Sequence, residues 1–210
     1  MANGLFEKYN VRPAVAAENI MYENWVYARA REVDISNPAE LARVRDLSVI
    51  MELAMQKYGW AAVSSNNLWW NATNEPIRAI MVPYPDNHDY LTIVNPFIGS
   101  YNGVEFGSVE RCGSFPGASY VAKIFPSVAV SGYLLTEEGL IQANFEYGSA
   151  SATLGEILDG RNDDDLVNAI ASAAYVQHEI DHTNGIVIPN KGVLYEEVKS
   201  KKEEAWRIAL

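Results

Sequence analysis

The sequence predicts an α+β domain, with antiparallel or mixed β-sheets packed around a central helix that bears an HExxH pattern and with a further helix on the N-terminal and C-terminal sides. Three observations predict it. A capped amphipathic stretch occupies residues 37–59, five β-rich runs punctuated by Gly, Pro and Asn fill residues 79–147, and an almost wholly apolar stretch, LVNAIASAAYV, leads into QHEIDHTNG at residues 177–185. With 210 residues, 49% of them hydrophobic, and no internal repeat, residues 1–210 are read as a single domain around one substantial core.

Each element follows from local chemistry. The N-terminus, MANGLFEKYNVRP, has no basic region followed by an apolar run and does not read as a secretory signal. From Asn37 a capping residue, Pro38 at the first helical position and Glu40 at the third mark a helix start. Leu41, Val44, Leu47, Ile50, Met51 and Met55 then recur at helical spacing as a core stripe, and Gly59 closes the element. The runs AIMVPY, YLTIVNPFI, SYVAKIF, SVAVSGYLL and LIQANFEY read as strands. Asp163, Asp164 or Asp165 caps the next helix, which carries HEIDH and stops at Asn184 and Gly185. A last amphipathic helix is expected from about Val193, with Glu196, Glu197, Glu203 and Glu204 among basic residues on a solvated face.

Composition narrows the function classes. No stretch approaches the length of a membrane span, so no membrane is expected. A formal charge of −11, without a basic cluster interleaved with aromatics, argues against nucleic acid as a partner. The single cysteine, Cys112, leaves no intramolecular disulfide and fits a reducing compartment, so a cytoplasmic protein is expected.

His178 and His182 stand four residues apart, so on a helix they share a face and can close on one ion; Glu179 beside them is placed as the general base. The competing reading is a solvated i,i+4 pair. Against it, two of the chain's three histidines fall here, and the apolar run before them speaks for a buried helix, where imidazoles need partners. A catalytic site needs a third protein ligand. In HExxHxxGxxH Gly185 fits, but the last histidine falls on Ile188. Glu203 and Glu204 are in range for a downstream glutamate, yet belong to the charged terminal helix. Cys112, in the turn VERCGSFPG, is the strong candidate, because a thiolate suits a borderline-soft cation; a buried inert cysteine is its bland alternative.

On these residues the chain resembles the peptide deformylase family, whose motifs are GxGxAAxQ, EGCLS and HExxH followed by Asn-Gly. QHEIDHTNG matches the third from Gln177 through Gly185, and ERCGS matches the second at Glu110, Cys112 and Ser114, with Pro116 after it. KYGWAAVS matches the first at Gly59, Ala61 and Ala62, and Asn95 and Pro96 resemble the strand before the cysteine motif. The motifs keep their order over about Asn37 to Gly185; the first thirty or so residues add little. The resemblance implies a divergent, metal-dependent hydrolase that removes the N-formyl group from the N-terminal methionine of nascent peptides and releases formate. It implies a divalent metal on Cys112, His178 and His182, with Fe(II) the usual physiological ion and Zn, Ni or Co suited to the same ligands. Glu179 would accept the proton of the attacking water and return it to the amine, and the Gly113 N–H, helped by Ser64, would meet the oxyanion. Gly59, Trp60 and Arg111 are the expected substrate-binding residues. The expected partners are N-formylmethionyl peptides, including chains emerging from the ribosome, and a monomer is expected.

The departures lie on the substrate side. Ser64 falls where the family's glutamine donates to the formyl oxygen; Asn66 or Asn67 after a shift in register, or a water, are the alternatives there. Loss of one such donor costs about 10²- to 10³-fold in turnover. Lys57 stands for the motif's first glycine, Arg111 for the glycine before the cysteine and Gly113 for the leucine after it. The long interval from Cys112 to His178 implies an insertion around SASATLGEILDGRNDDD. Two rival readings remain: a catalytically silent, metal-binding relative that binds peptides, and an amidohydrolase of altered acyl or peptide specificity, its pocket reshaped by Trp60, Trp69, Trp70 and Phe115.

Overall fold

A computed structural model describes residues 3–16, 18, 20–85, 89–150, 164–197 and 199. The chain begins with α1 (Asn3–Lys8), β1 (Arg12–Pro13) and α2 (Ile20–Val26), followed by the long α3 (Pro38–Tyr58). The ends of α3 are those the sequence predicts. Asn37 Oδ1 accepts the Ala39 N–H at 3.0 Å, and Gly59 ends the helix at φ 68°, in the left-handed region that favours glycine. Its buried face, Val44, Leu47, Ile50, Met51, Ala54 and Met55, packs in one cluster with Trp25, Val26, Leu68 and Trp70. Leu41, at the edge of that stripe, is half-buried.

Glu40 does not turn back to cap α3. It is buried and accepts from both Nη atoms of Arg31, at 2.9 and 3.1 Å, and from Arg43 at 3.2 Å. The Arg31 guanidinium holds this carboxyl below its usual range. Its stabilising contribution is therefore present above the unfolded value, about 4.3, and is lost as pH falls through the lower folded value. Glu40→Gln is expected to cost about 1–2 kcal/mol at pH 7. Urea titrations of the two proteins should converge as pH drops below about 4.

β2 (Val63–Ser64), one 3-10 turn (Ser65–Asn67) and β3 (Leu68–Trp69) lead into β4 (Ala79–Pro83), β5 (Tyr90–Asn102), β6 (Phe106–Glu110), β7 (Tyr120–Ile124), β8 (Ser127–Leu135) and β9 (Leu140–Gly148). Next come α4 (Asp164–Thr183), α5 (Ile188–Lys191) and β10 (Val193–Leu194). Among the described residues the strands form a five-stranded sheet in the order β2-β4-β5-β8-β9, a three-stranded sheet β10-β7-β6 and the pair β1-β3. Among the described residues every strand pair is antiparallel, and the one parallel contact is an isolated bridge between Arg31 and Ile77. The ladder of β5 shifts register between Val94 and Phe97, where Asn95 takes φ 49° and Pro96 has no N–H to give. The apolar side of α4, with Ala173, Val176 and Ile180, is buried with Ile80, Val82, Ile93, Val128, Val130 and Tyr147 of the large sheet.

Two elements differ from the sequence reading. β6 is not among the predicted runs, because its residues alternate between half-buried and exposed and it is ordered by pairing with β7, from Phe106 opposite Ile124 to Glu110 opposite Tyr120. Val193 and Leu194, expected to begin the last helix, instead pair as β10 with Val121 and Tyr120, and helical backbone starts at residue 195. Glu203, Glu204, Asp163 and most of the expected insertion lie outside the described residues. No helix among the described residues is long and apolar enough to cross a membrane.

Candidate metal centre

On α4, His178 and His182 present their Nε2 atoms to each other at 3.2 Å, one turn apart. Cys112, just beyond β6, brings its Sγ to 3.1 Å from His182 Nε2. The three donor atoms lie within 4.8 Å of one another, and Cys112 and His182 are buried. Cys112 packs with Ala122 and Ile188, so the position that rules out a third histidine serves to bury the cysteine.

Neighbouring groups fix which atoms face inward. Glu110 Oε2 accepts from His178 Nδ1 at 2.8 Å, which orients the ring so that Nε2 faces the Cys112 side. Burial pulls the His178 pKa down, but hydrogen bonds to Cys112 and Glu110 and the charge of Glu179 outweigh it and hold the value well above normal. Burial, with the charge of His178, pushes His182 well below its ordinary value, so this imidazole is neutral, the ligating form. Glu179 is buried, and its Oε2 makes no hydrogen bond among the described residues. Burial pushes its carboxyl up to about 7, against the pull of His178 and of the nearby Ser64 hydroxyl and N–H.

The helix is pinned at both sides of the histidines. Gln177 exchanges hydrogen bonds with the Phe125 backbone at 2.8 and 3.0 Å, and Asn184 Oδ1 accepts from Arg78, whose other nitrogens hold Pro96 O. Gly185 stands at φ 74°, where an added Cβ would come 2.7 Å from Tyr27 O. The first thirty residues, which carry none of the motif match, also close on the site. Ala14 N–H donates to Asn67 O at 2.8 Å, Ala16 N–H to Ser114 O at 3.1 Å and Ala30 N–H to Thr183 O at 2.8 Å.

Beside the donor atoms lies a half-open cleft of about 1020 Å³. Of the sequence-predicted site residues, Gly59, Trp60, Arg111, Cys112, Gly113, His178 and Glu179 line it. Ser64 does not; it is fully buried, and its hydroxyl and N–H both donate to Asn67 Oδ1 at 2.8 Å. Asn67 does line the cleft, and its Nδ2 donates to Ser114 Oγ at 3.1 Å. Phe115 joins Trp60 in the lining, whereas Trp70 is core and Trp69 packs against Tyr22. The departures from the motifs have local causes. A Cβ at position 113 would meet the Trp60 indole at 2.7 Å, so the tryptophan occupies the room that the motif's leucine would need. Lys57 sits over the rings of Phe6 and Tyr58 at 5.4 and 5.2 Å. Asn67 is one of the alternatives that the sequence offers for the donor at Ser64, whereas Glu110 as the partner of His178, and Ala171 and Tyr175 in the lining, were not singled out from the sequence as site residues; for Glu110 the motif match was the available signal.

No protein-family model and no curated protein sequence matches the chain. Solved structures do match its fold. A peptide deformylase from Acinetobacter baumannii with Met-Ala-Ser bound is 20% identical with a TM-score of 0.57, over 80% of this chain and 92% of that one. A deformylase from a Vibrio parahaemolyticus bacteriophage, in complex with actinonin, is 24% identical with a TM-score of 0.55, over 78% and 93%. Peptide deformylase 1B of Arabidopsis thaliana is 17% identical with a TM-score of 0.60, over 89% and 86%. With so little sequence in common and so much of each chain superposed, this chain is a divergent bearer of the peptide deformylase fold.

Proposed function

We propose that this chain is a metal-dependent amidohydrolase that removes the formyl group from N-formylmethionyl peptides, nascent chains in the cytoplasm among them, and releases formate. The observation that carries the proposal is the convergence of Cys112 Sγ, His178 Nε2 and His182 Nε2 within 4.8 Å beside a cleft that Glu179 also lines. The donor set fits a divalent ion. A thiolate and two imidazoles suit a borderline-soft cation, and separations of 3.1 and 3.2 Å come close to the roughly 3.3–3.6 Å edges of a tetrahedron with bonds of about 2.0–2.3 Å. Fe(II) is proposed as the working ion, with Zn, Ni or Co able to occupy the same ligands. When bound, the ion supplies Lewis acidity, lowering the pKa of water and polarising the formyl carbonyl.

The remaining steps belong to the chain. Glu179, with a carboxyl near neutrality, takes the proton of the attacking water and delivers it to the departing amine. For the oxyanion, Gly113 offers its backbone N–H and Asn67 the amide hydrogen not given to Ser114; Ser64 acts behind them by holding Asn67. An extended peptide finds an edge strand in β6, whose Ser108, Val109 and Glu110 line the cleft. The Met-Ala-Ser bound to the Acinetobacter structure supports a peptide as the ligand.

The test is formate release from formyl-Met-Ala-Ser by anaerobically purified protein whose metal content is read on the same sample, with acetyl-Met-Ala-Ser in parallel. Formate above the Glu179→Gln background is the expected result. None at full metal occupancy overturns the proposal in favour of a silent peptide binder, and preferred cleavage of the acetyl peptide reassigns the acyl group.

A further inference from the structure

Arg111 is the only Lys or Arg among the described residues lining the cleft. Its Nε donates to Ser119 Oγ at 3.2 Å, and its two Nη groups make neither a hydrogen bond nor an ion pair among the described residues. The adjacent acid, Glu110, which ends β6 and also lines the cleft, gives its carboxylate to His178 at 2.8 Å and makes no ion pair with Arg111. The guanidinium is thus left exposed on the cleft, one residue from Cys112.

We propose that Arg111 makes this cleft selective for peptides that carry a carboxylate within the first few residues after the acylated one. The inference rests on the deformylation reading above and names its substrate class. A formylated N-terminus is uncharged, so the charge such a peptide brings comes only from its side chains and its C-terminus. An extended peptide advances about 3.4 Å per residue, and Arg111 is a single residue, about 3.8 Å between Cα atoms, from a donor of the metal centre. A carboxylate one to three residues beyond the acylated one falls within reach of the fork, which pairs with carboxylates bidentately. The motif that this segment resembles has glycine at the position, which offers no charge, so the selectivity belongs to this chain.

Binding by Glu179→Gln protein loaded with metal, followed by calorimetry, separates this selectivity from turnover. The probes are the amides formyl-Met-Asp-Ser, formyl-Met-Ala-Asp, formyl-Met-Ala-Ser and formyl-Met-Lys-Ser; free-acid formyl-Met-Ala reports a C-terminal carboxylate instead of a side chain. At low salt the tightest acidic probe is expected to bind about 3- to 10-fold better than the alanine amide, with the lysine amide weakest. The spread should shrink with added salt, vanish in Arg111→Gln and survive in part in Arg111→Lys. Equal binding of all probes, or a preference that persists in Arg111→Gln, overturns the proposal. Wild-type formate release is measured on the same probes. Formate from every probe at equal efficiency removes the selectivity and keeps deformylation; an acidic preference in binding without formate keeps the selectivity and removes deformylation; no binding by any probe removes both.

Discussion

Glu179→Gln is expected to lower formate release by about 10²- to 10⁴-fold, the range general acid–base catalysis contributes, and to leave metal content unchanged. The carboxyl is not one of the three converging donors, so a ligand is not lost. It is buried beside them, with an oxygen that makes no hydrogen bond among the described residues, where an amide of the same shape can sit but cannot take a proton. The same burial sets the pH dependence. A carboxyl pushed up to about 7 is increasingly protonated, and useless as a base, as pH falls below that value. The rate is therefore expected to rise with pH along an acidic limb and level off. A dication on the neighbouring histidines pulls the value down, so the limb should lie at or below 7 in the loaded enzyme. Robust turnover by Glu179→Gln at matched metal content would sink the assignment.

Cys112→Ala is expected to weaken metal binding by more than the roughly 10- to 100-fold that loss of an outer-shell partner costs, read as metal retained after dialysis against a weak chelator. The thiolate supplies the one soft, anionic donor, and His178 and His182 alone leave the ion two ligands on a single helix face. The fold should barely notice. Cys112 belongs to a small cluster with Ala122 and Ile188, apart from the two main cores, so deleting its sulfur should cost the ion-free protein about 1 kcal/mol in a urea titration. Undiminished metal content would refute its role as a ligand.

The sequence reads most clearly where the interactions are local. Asn37, Pro38 and Gly59 announce the two ends of α3, because a cap depends on residues within one turn of it. SVAVSGYLL is β8 residue for residue, since β-branched runs bounded by turn formers need no distant partner to be recognised. β6 and β10 escape that reading because both owe their order to β7, a strand they meet only in the folded chain. The site divides in the same way. The pairing of His178 with His182 follows from helix geometry alone. The third candidate donor, Cys112, comes from a loop 70 residues before His182, and its arrival there is a tertiary event for which sequence offers only donor chemistry and a motif match.

Three assignments were decided by packing. Trp60 lies against Gly113 and explains the missing leucine; Glu110 turns to His178 and leaves Arg111 unpaired on the cleft; Ser64 is buried under Asn67 instead of reaching the cleft itself. None follows from periodicity or spacing, because each depends on which side chain fills a volume shared by segments far apart in the chain. Sequence by itself determined the capped ends of α3, strand runs such as β8 and the helical pairing of His178 with His182, all set by neighbours a few residues away. The tertiary structure alone decided which side chains face the cleft and which are spent holding it, because burial and hydrogen-bond satisfaction exist only once those segments meet.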